Sequence, residues 1–149
     1  MKIKDILAVK GAKVWTIGAD HSIRDAMQVM FAEHIGSLVV TGPQTHNVAG
    51  IISERDIVRG FHSRGSGWEK MQVADLMTRK IVICDPEDSI EDIMAAMTER
   101  RIRHVPVMED GQLKGMISIG DVVKALLKTS EHEIRFLKEY MYGPLLEEG

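Results

Sequence analysis

The segment Gly50-Ile51-Ile52-Ser53-Glu54-Arg55-Asp56 returns 65 positions later as Gly115-Met116-Ile117-Ser118-Ile119-Gly120-Asp121. Upstream, Asp20-His21-Ser22-Ile23-Arg24-Asp25-Ala26-Met27 is answered by Glu87-Asp88-Ser89-Ile90-Glu91-Asp92-Ile93-Met94. A chain that repeats its signals in the same order is restricted to two copies of one supersecondary unit. Two such copies are expected to pack face to face about a pseudo-twofold axis. Any cleft made by one half then has a counterpart in the other, and function belongs at the shared seam.

Each copy opens on a short helical lead-in, with Lys4-Asp5-Ile6-Leu7 echoed by Ala74-Asp75-Leu76-Met77. β-prone runs follow, Lys13-Val14-Trp15-Thr16-Ile17 and Lys80-Ile81-Val82-Ile83-Cys84, stopped by Gly18-Ala19-Asp20 and Asp85-Pro86-Glu87. Ile23, Ala26, Met27, Met30 and Phe31 then trace a helical face expected in the core, and Ile90, Ile93, Met94 and Met97 repeat it. Two further strands come next, separated by the turn Thr41-Gly42-Pro43 or Glu109-Asp110-Gly111. A last helix starts at the Ser of the repeated motif. The class is therefore α+β, two β-α-β-β-α repeats. The expected division is a first repeat with its lead-in helix over 1–62, a linker over 63–70 pinned by Trp68, a second repeat over 71–130, and a helix and tail over 131–149. In that tail Ile134, Phe136, Leu137, Tyr140 and Met141 fall at near-helical spacing.

With 44% hydrophobic and 28% charged residues, 149 residues can close one core or two small linked ones. Nineteen basic against 22 acidic side chains give a net charge of −3 with no sustained basic stripe, which argues against nucleic acid as a partner. Cys84 is the single cysteine, so no intrachain disulfide forms. Nothing reads as a signal peptide or a membrane span, and the expectation is a cytoplasmic protein with no membrane partner. The six histidines are scattered without metal-ligand spacing, and neither a P-loop nor a Rossmann glycine pattern is present. No catalytic residue and no metal site is expected; the ten methionines read as adaptable core filling.

Ser-x-x-Asp admits two readings. As a helix N-cap, the Ser oxygen accepts an orphan backbone N–H and the acid favours the positive end of the helix dipole. Ser22/Asp25 and Ser89/Asp92 have the same spacing and read as caps only. Ser53/Asp56 and Ser118/Asp121 differ because each directly follows an apolar strand introduced by Gly. A hydroxyl, a carboxylate and a helix start then meet at a strand's C-terminal end, where a carboxylate can accept both hydroxyls of a ribose and the helix start can receive phosphate.

The doubled order of these motifs, together with Ile102-Arg103-His104-Val105-Pro106-Val107, closely resembles the tandem cystathionine-β-synthase (CBS) domain pair. The resemblance covers roughly residues 5–128 and is nearest to small stand-alone members. It implies a regulatory module, not an enzyme, that binds an adenosine-containing ligand such as AMP, ADP, ATP or NAD(H), the sequence not choosing among these or S-adenosylmethionine. It places ribose contacts on Asp56 and Asp121, supported by Ser53 and Ser118. It adds Thr16 beside Asp56, with Ile83 as the departing counterpart, which favours the first cleft. Adenine is expected between Ile17, Ile81 and Ile83. Phosphate is expected on Arg103 and His104, with Arg55 and Lys80 behind them. The resemblance also implies a homodimer and an effector protein. Two rivals remain open, an assembly protein whose motifs are only caps and a nucleotide-processing enzyme.

Overall fold

Ser22 and Ser89 act as their spacing predicts, accepting the backbone N–H of Asp25 at 3.0 Å and of Asp92 at 3.1 Å. They start helices α2 (Ile23–Glu33) and α5 (Ile90–Arg100), which end at the left-handed residues His34 and Arg101. The structure is a computed structural model describing residues 1–42 and 47–143. Its remaining elements are α1 (Ile3–Lys10), β1 (Thr16–Gly18), β2 (Ser37–Thr41), β3 (Val48–Ser53), α3 (Glu54–Arg64), a 3-10 helix (Gly65–Lys70), α4 (Val73–Leu76), β4 (His104–Glu109), β5 (Gln112–Ser118) and α6 (Ile119–Tyr142).

In the first half β2 lies between β1, parallel to it, and β3, antiparallel to it. The second half pairs β4 with β5 through a tight turn in which Asp110 and Gly111 both take positive φ, the two-residue hairpin geometry. The strand expected over 80–84 is reduced to one parallel bridge, Cys84 with Val107. Cys84 donates to the Pro106 carbonyl at 3.0 Å and accepts from the Met108 N–H at 2.8 Å, but Asp85 and Pro86 turn the chain away at once. The turn at Thr41-Gly42-Pro43 passes out of the described residues at Pro43.

Each half has its own core, one holding Ile17, Ile23, Met30, Leu38, Val40 and Ile52, the other Ile90, Met97, Val105, Val107, Ile117 and Val122. Met27 and Phe31 are exposed, 39% and 84%, contrary to their expected place in the core. The inward stripe of α2 is Ile23, Ala26 and Met30, and the two others sit one position round the helix, on its outer flank. The 63–70 stretch is ordered as the end of α3 and the 3-10 helix, with Trp68 edge-on to Phe61 at 5.6 Å between ring centroids.

The lead-ins are exchanged. Ile3 and Ile6 of α1 are buried in the core of the second half, and the Ile3 N–H donates to the Asp88 carbonyl at 3.0 Å. Lys2 and Lys4 both reach Glu87, holding its carboxyl down at about 2. Conversely, Met71, Val73 and Met77 join the first core, and the Val73 N–H donates to the His21 carbonyl at 2.8 Å. Each half is thus closed by the segment that precedes the other, which binds the two into one unit.

Candidate functional site

Ser53 ends β3 and begins α3, and the motif forms a complete capping box. The Asp56 N–H donates to Ser53 Oγ at 3.2 Å while Asp56 Oδ2 accepts from the Ser53 N–H at 2.9 Å. Beyond β3 the segment after α4 runs alongside as a short extra edge, where Thr78 and Ile51 exchange backbone hydrogen bonds of 3.0 and 2.8 Å. Thr78 Oγ1 donates to Asp56 Oδ1 at 3.1 Å. Gly50 permits this approach, since a Cβ there would lie 2.4 Å from the Thr78 carbonyl oxygen.

Around Asp56 opens a cleft of about 770 Å³ that draws on both halves. Ile51, Ser53, Glu54, Arg55, Asp56, Val58 and Arg59 come from the end of β3 and from α3. Thr78, Lys80, Ile81 and Val82 come from the connecting segment, and Arg101, Ile102, Arg103 and His104 from the start of β4 and the turn before it. The expected residues Ser53, Arg55, Asp56, Lys80, Ile81, Arg103 and His104 therefore meet at one place. Burial, Lys10 and Arg103 lower the pKa of His104, against the pull of Asp121, so the ring is neutral at pH 7.

Thr16 and Ile17, expected here, are elsewhere. β2 separates β1 from β3, so Thr16 stands two strand spacings, about 10 Å, from the strand that carries Ser53. Ile17 is buried in the first core. Ile83, expected beside adenine, is 55% exposed and outside the cleft, because alternation along the chain sends Cys84 inward and Ile83 outward. The hydroxyl beside Asp56 belongs to Thr78. Its signal was a Thr directly after the repeated lead-in Ala74-Asp75-Leu76-Met77, but only the exchange of lead-ins brings it to β3. Arg59, Val82, Arg101 and Ile102 also line the cleft, though none of them was expected to contact a ligand.

Ser118 and Asp121 form the same capping box at α6, with Ser118 paired directly across from His104 in the β4–β5 ladder. There the lead-in supplies a cation instead of a hydroxyl. Lys10 Nζ donates to Asp121 Oδ2 at 2.6 Å and to the Met116 carbonyl at 2.7 Å. Burial alone would raise Asp121, but bonds from Lys10 and Ser118 hold it below the ordinary carboxylate range. The two acids are alike in sequence and unlike in state: Asp56 faces an open cleft and Asp121 is held by an internal ion pair.

Burial, with Asp88 and Asp85 nearby, pushes the Cys84 thiol up to about 12, too high for a nucleophile. Among the described residues no group of three or more His, Cys, Asp or Glu side chains could hold a metal, and no helix is long and apolar enough to cross a membrane.

The family model for the CBS domain matches residues 3–63 and again 73–128. A mitochondrial CBS domain-containing protein of Arabidopsis thaliana is 36% identical over 149 residues, 95% of this chain and 72% of that protein. A crystal structure of a CBS-domain containing protein from Agrobacterium tumefaciens superposes with TM-score 0.80 at 42% identity, covering 84% of this chain and 92% of the other. A CBS domain pair solved with 5-methylthioadenosine and S-adenosyl-L-methionine has TM-score 0.74 over 87% of this chain and 98% of its own. At 21% identity it speaks to the fold alone.

Proposed function

The chain belongs to the CBS domain family, and on that premise we propose that it is a regulatory module that binds an adenosine nucleotide in the Asp56 cleft and reports occupancy to a partner protein. One observation carries this reading. A carboxylate at a helix N-terminus stands in a cleft with apolar walls and several cations, built from both halves of the chain.

A carboxylate offers about four acceptor positions, and the Ser53 and Thr78 hydroxyls that fill two of them can rotate toward a ligand. Asp56 can then take a ribose diol. Ile81, Val82 and Ile102 supply apolar surface for adenine, and Arg55, Arg59, Lys80, Arg101 and Arg103 supply charge for phosphate. That charge favours AMP, ADP, ATP or NAD(H) over S-adenosylmethionine, whose sulfonium is a cation. The arrangement suits holding a nucleotide, not breaking it. A ligand that touches α3 and the turn before β4 biases the relative orientation of the halves by its differential affinity for the two states. The reading extends to a homodimer in the cytoplasm whose effector is a separate protein.

The capping boxes favour a second reading, an assembly protein in which both motifs only start helices. Thermal unfolding against the nucleotide panel separates the two. At a hundred times the dissociation constant a true ligand adds about 2.7 kcal/mol of stability. Asp56→Ala is expected to abolish that shift and to cost about 1 kcal/mol on its own. Absence of any shift, in protein freed of co-purified nucleotide, leaves the caps alone.

A further inference from the structure

α6 continues well past the second repeat. The family match ends at residue 128, yet the helix runs unbroken to Tyr142, and every described side chain from Ser130 to Tyr142 is exposed. A helical segment of that length with no packing partner is marginal in water, so its own propensity does not account for it. Apart from Tyr142, its exposed apolar residues are also not scattered. Val123, Leu127, Ile134, Leu137 and Met141 are 38%, 59%, 52%, 56% and 66% exposed, and with Ser130 they fall at alternating steps of four and three residues. That is the a/d seam of a coiled coil, with Leu127, Ile134 and Met141 at a and Val123, Ser130 and Leu137 at d. The seam begins in an apolar groove on the same helix bordered by Lys124, Lys128 and Glu131.

We infer that this seam pairs with the same seam of a second copy, as a parallel two-stranded coiled coil. Charge chooses both the occupant and the direction. The flanking e positions are Lys124, Glu131 and Lys138, and Glu133 is at g. In a parallel pair each g faces the e five residues on in the other helix, which sets Glu133 against Lys138 twice. An antiparallel pair sets e against e and g against g: Lys124 against Lys138, Glu131 against Glu131 and Glu133 against Glu133, all like charges. The pairing is independent of ligand binding, so a chain that shows no nucleotide shift would still associate.

The full-length chain tests this by sedimentation and by cross-linking. Lys138→Glu, on an exposed face, is expected to weaken self-association about tenfold by replacing two attractive contacts with two repulsive ones. Glu133→Lys combined with Lys138→Glu restores the opposite-sign pairs and is expected to recover it. Ile134→Cys is expected to give a disulfide-linked dimer under mild oxidation, since a parallel register stacks residue 134 on itself, while His132→Cys on the outer face gives none. The inference is overturned by a monomeric chain, by a dimer indifferent to both charge variants, as one formed through Phe31 or Phe61 would be, or by the absence of the residue-134 cross-link.

Discussion

Lys10, at the end of α1, and Thr78, just after α4, give two equal carboxylates different environments. Asp121 is paired inside the chain, so a nucleotide reaching it must displace Lys10, whereas the one approaching Asp56 displaces only hydroxyl donors. Calorimetric titration is expected to give one nucleotide per chain, rising to two in Lys10→Ala; one site in both proteins would mean that the ion pair is not what closes the second cleft. His104 carries the pH dependence just below neutrality, above the range of the lowered carboxylates Glu87 and Asp121. Its pKa is lowered in the fold below the ordinary 6.5, so the unfolded chain binds a proton first as pH falls. Stability is complete above 6.5 and declines as pH drops from there toward the folded value. His104→Gln should flatten that limb of a melting-temperature profile. The doubled motif marks Ser53 and Asp56 in the sequence, whereas Arg103 and His104, which share their cleft, were reached only through the family resemblance. Thr16 was misplaced because a Thr in the first strand looks equivalent to Thr78 until the strand order is known.

At the scale of elements the two glycines that introduce the Ser-x-x-Asp motifs have one reason and two costs. Each lets a lead-in cross the strand. A Cβ on Gly50 meets the Thr78 carbonyl oxygen at 2.4 Å, and one on Gly115 meets Leu7 Cδ2 at 2.6 Å. The Thr78 backbone, held to Ile51 by one hydrogen bond at its carbonyl and one at its N–H, cannot retreat, while the end of a leucine can change rotamer. Gly50→Ala is therefore expected to destabilise by about 3 kcal/mol and Gly115→Ala by about 1 kcal/mol. Denaturant melts of the two variants check the order, and equal losses would contradict it. The helices α2 and α5 were readable because periodicity and Ser caps are local signals. The strand expected over 80–84 was not. A run of β-branched residues shows the capacity to pair, and whether an edge is offered depends on β4 and on the turn at Pro86.

For the whole molecule the exchange of lead-ins matters most, since α1 completes a core to which it is remote in sequence. Ile3→Ala is expected to cost about 3 kcal/mol, with amide exchange rising first around Val105, Val107 and Ile117, not in the first half. Equal loosening of both halves would show a single cooperative core instead. The repeat by itself determined that there are two α+β units, where their helices begin, and that an acid stands at the start of the last helix of each. Those facts follow from local periodicity, capping and self-similarity, and they are written in neighbouring residues. Tertiary structure alone decided which lead-in closes which half, that Thr78 and not Thr16 stands beside Asp56, and that Lys10 holds Asp121. Each of these depends on strand order and on contacts between residues remote in the chain, which a repeat, being the same in both copies, cannot distinguish.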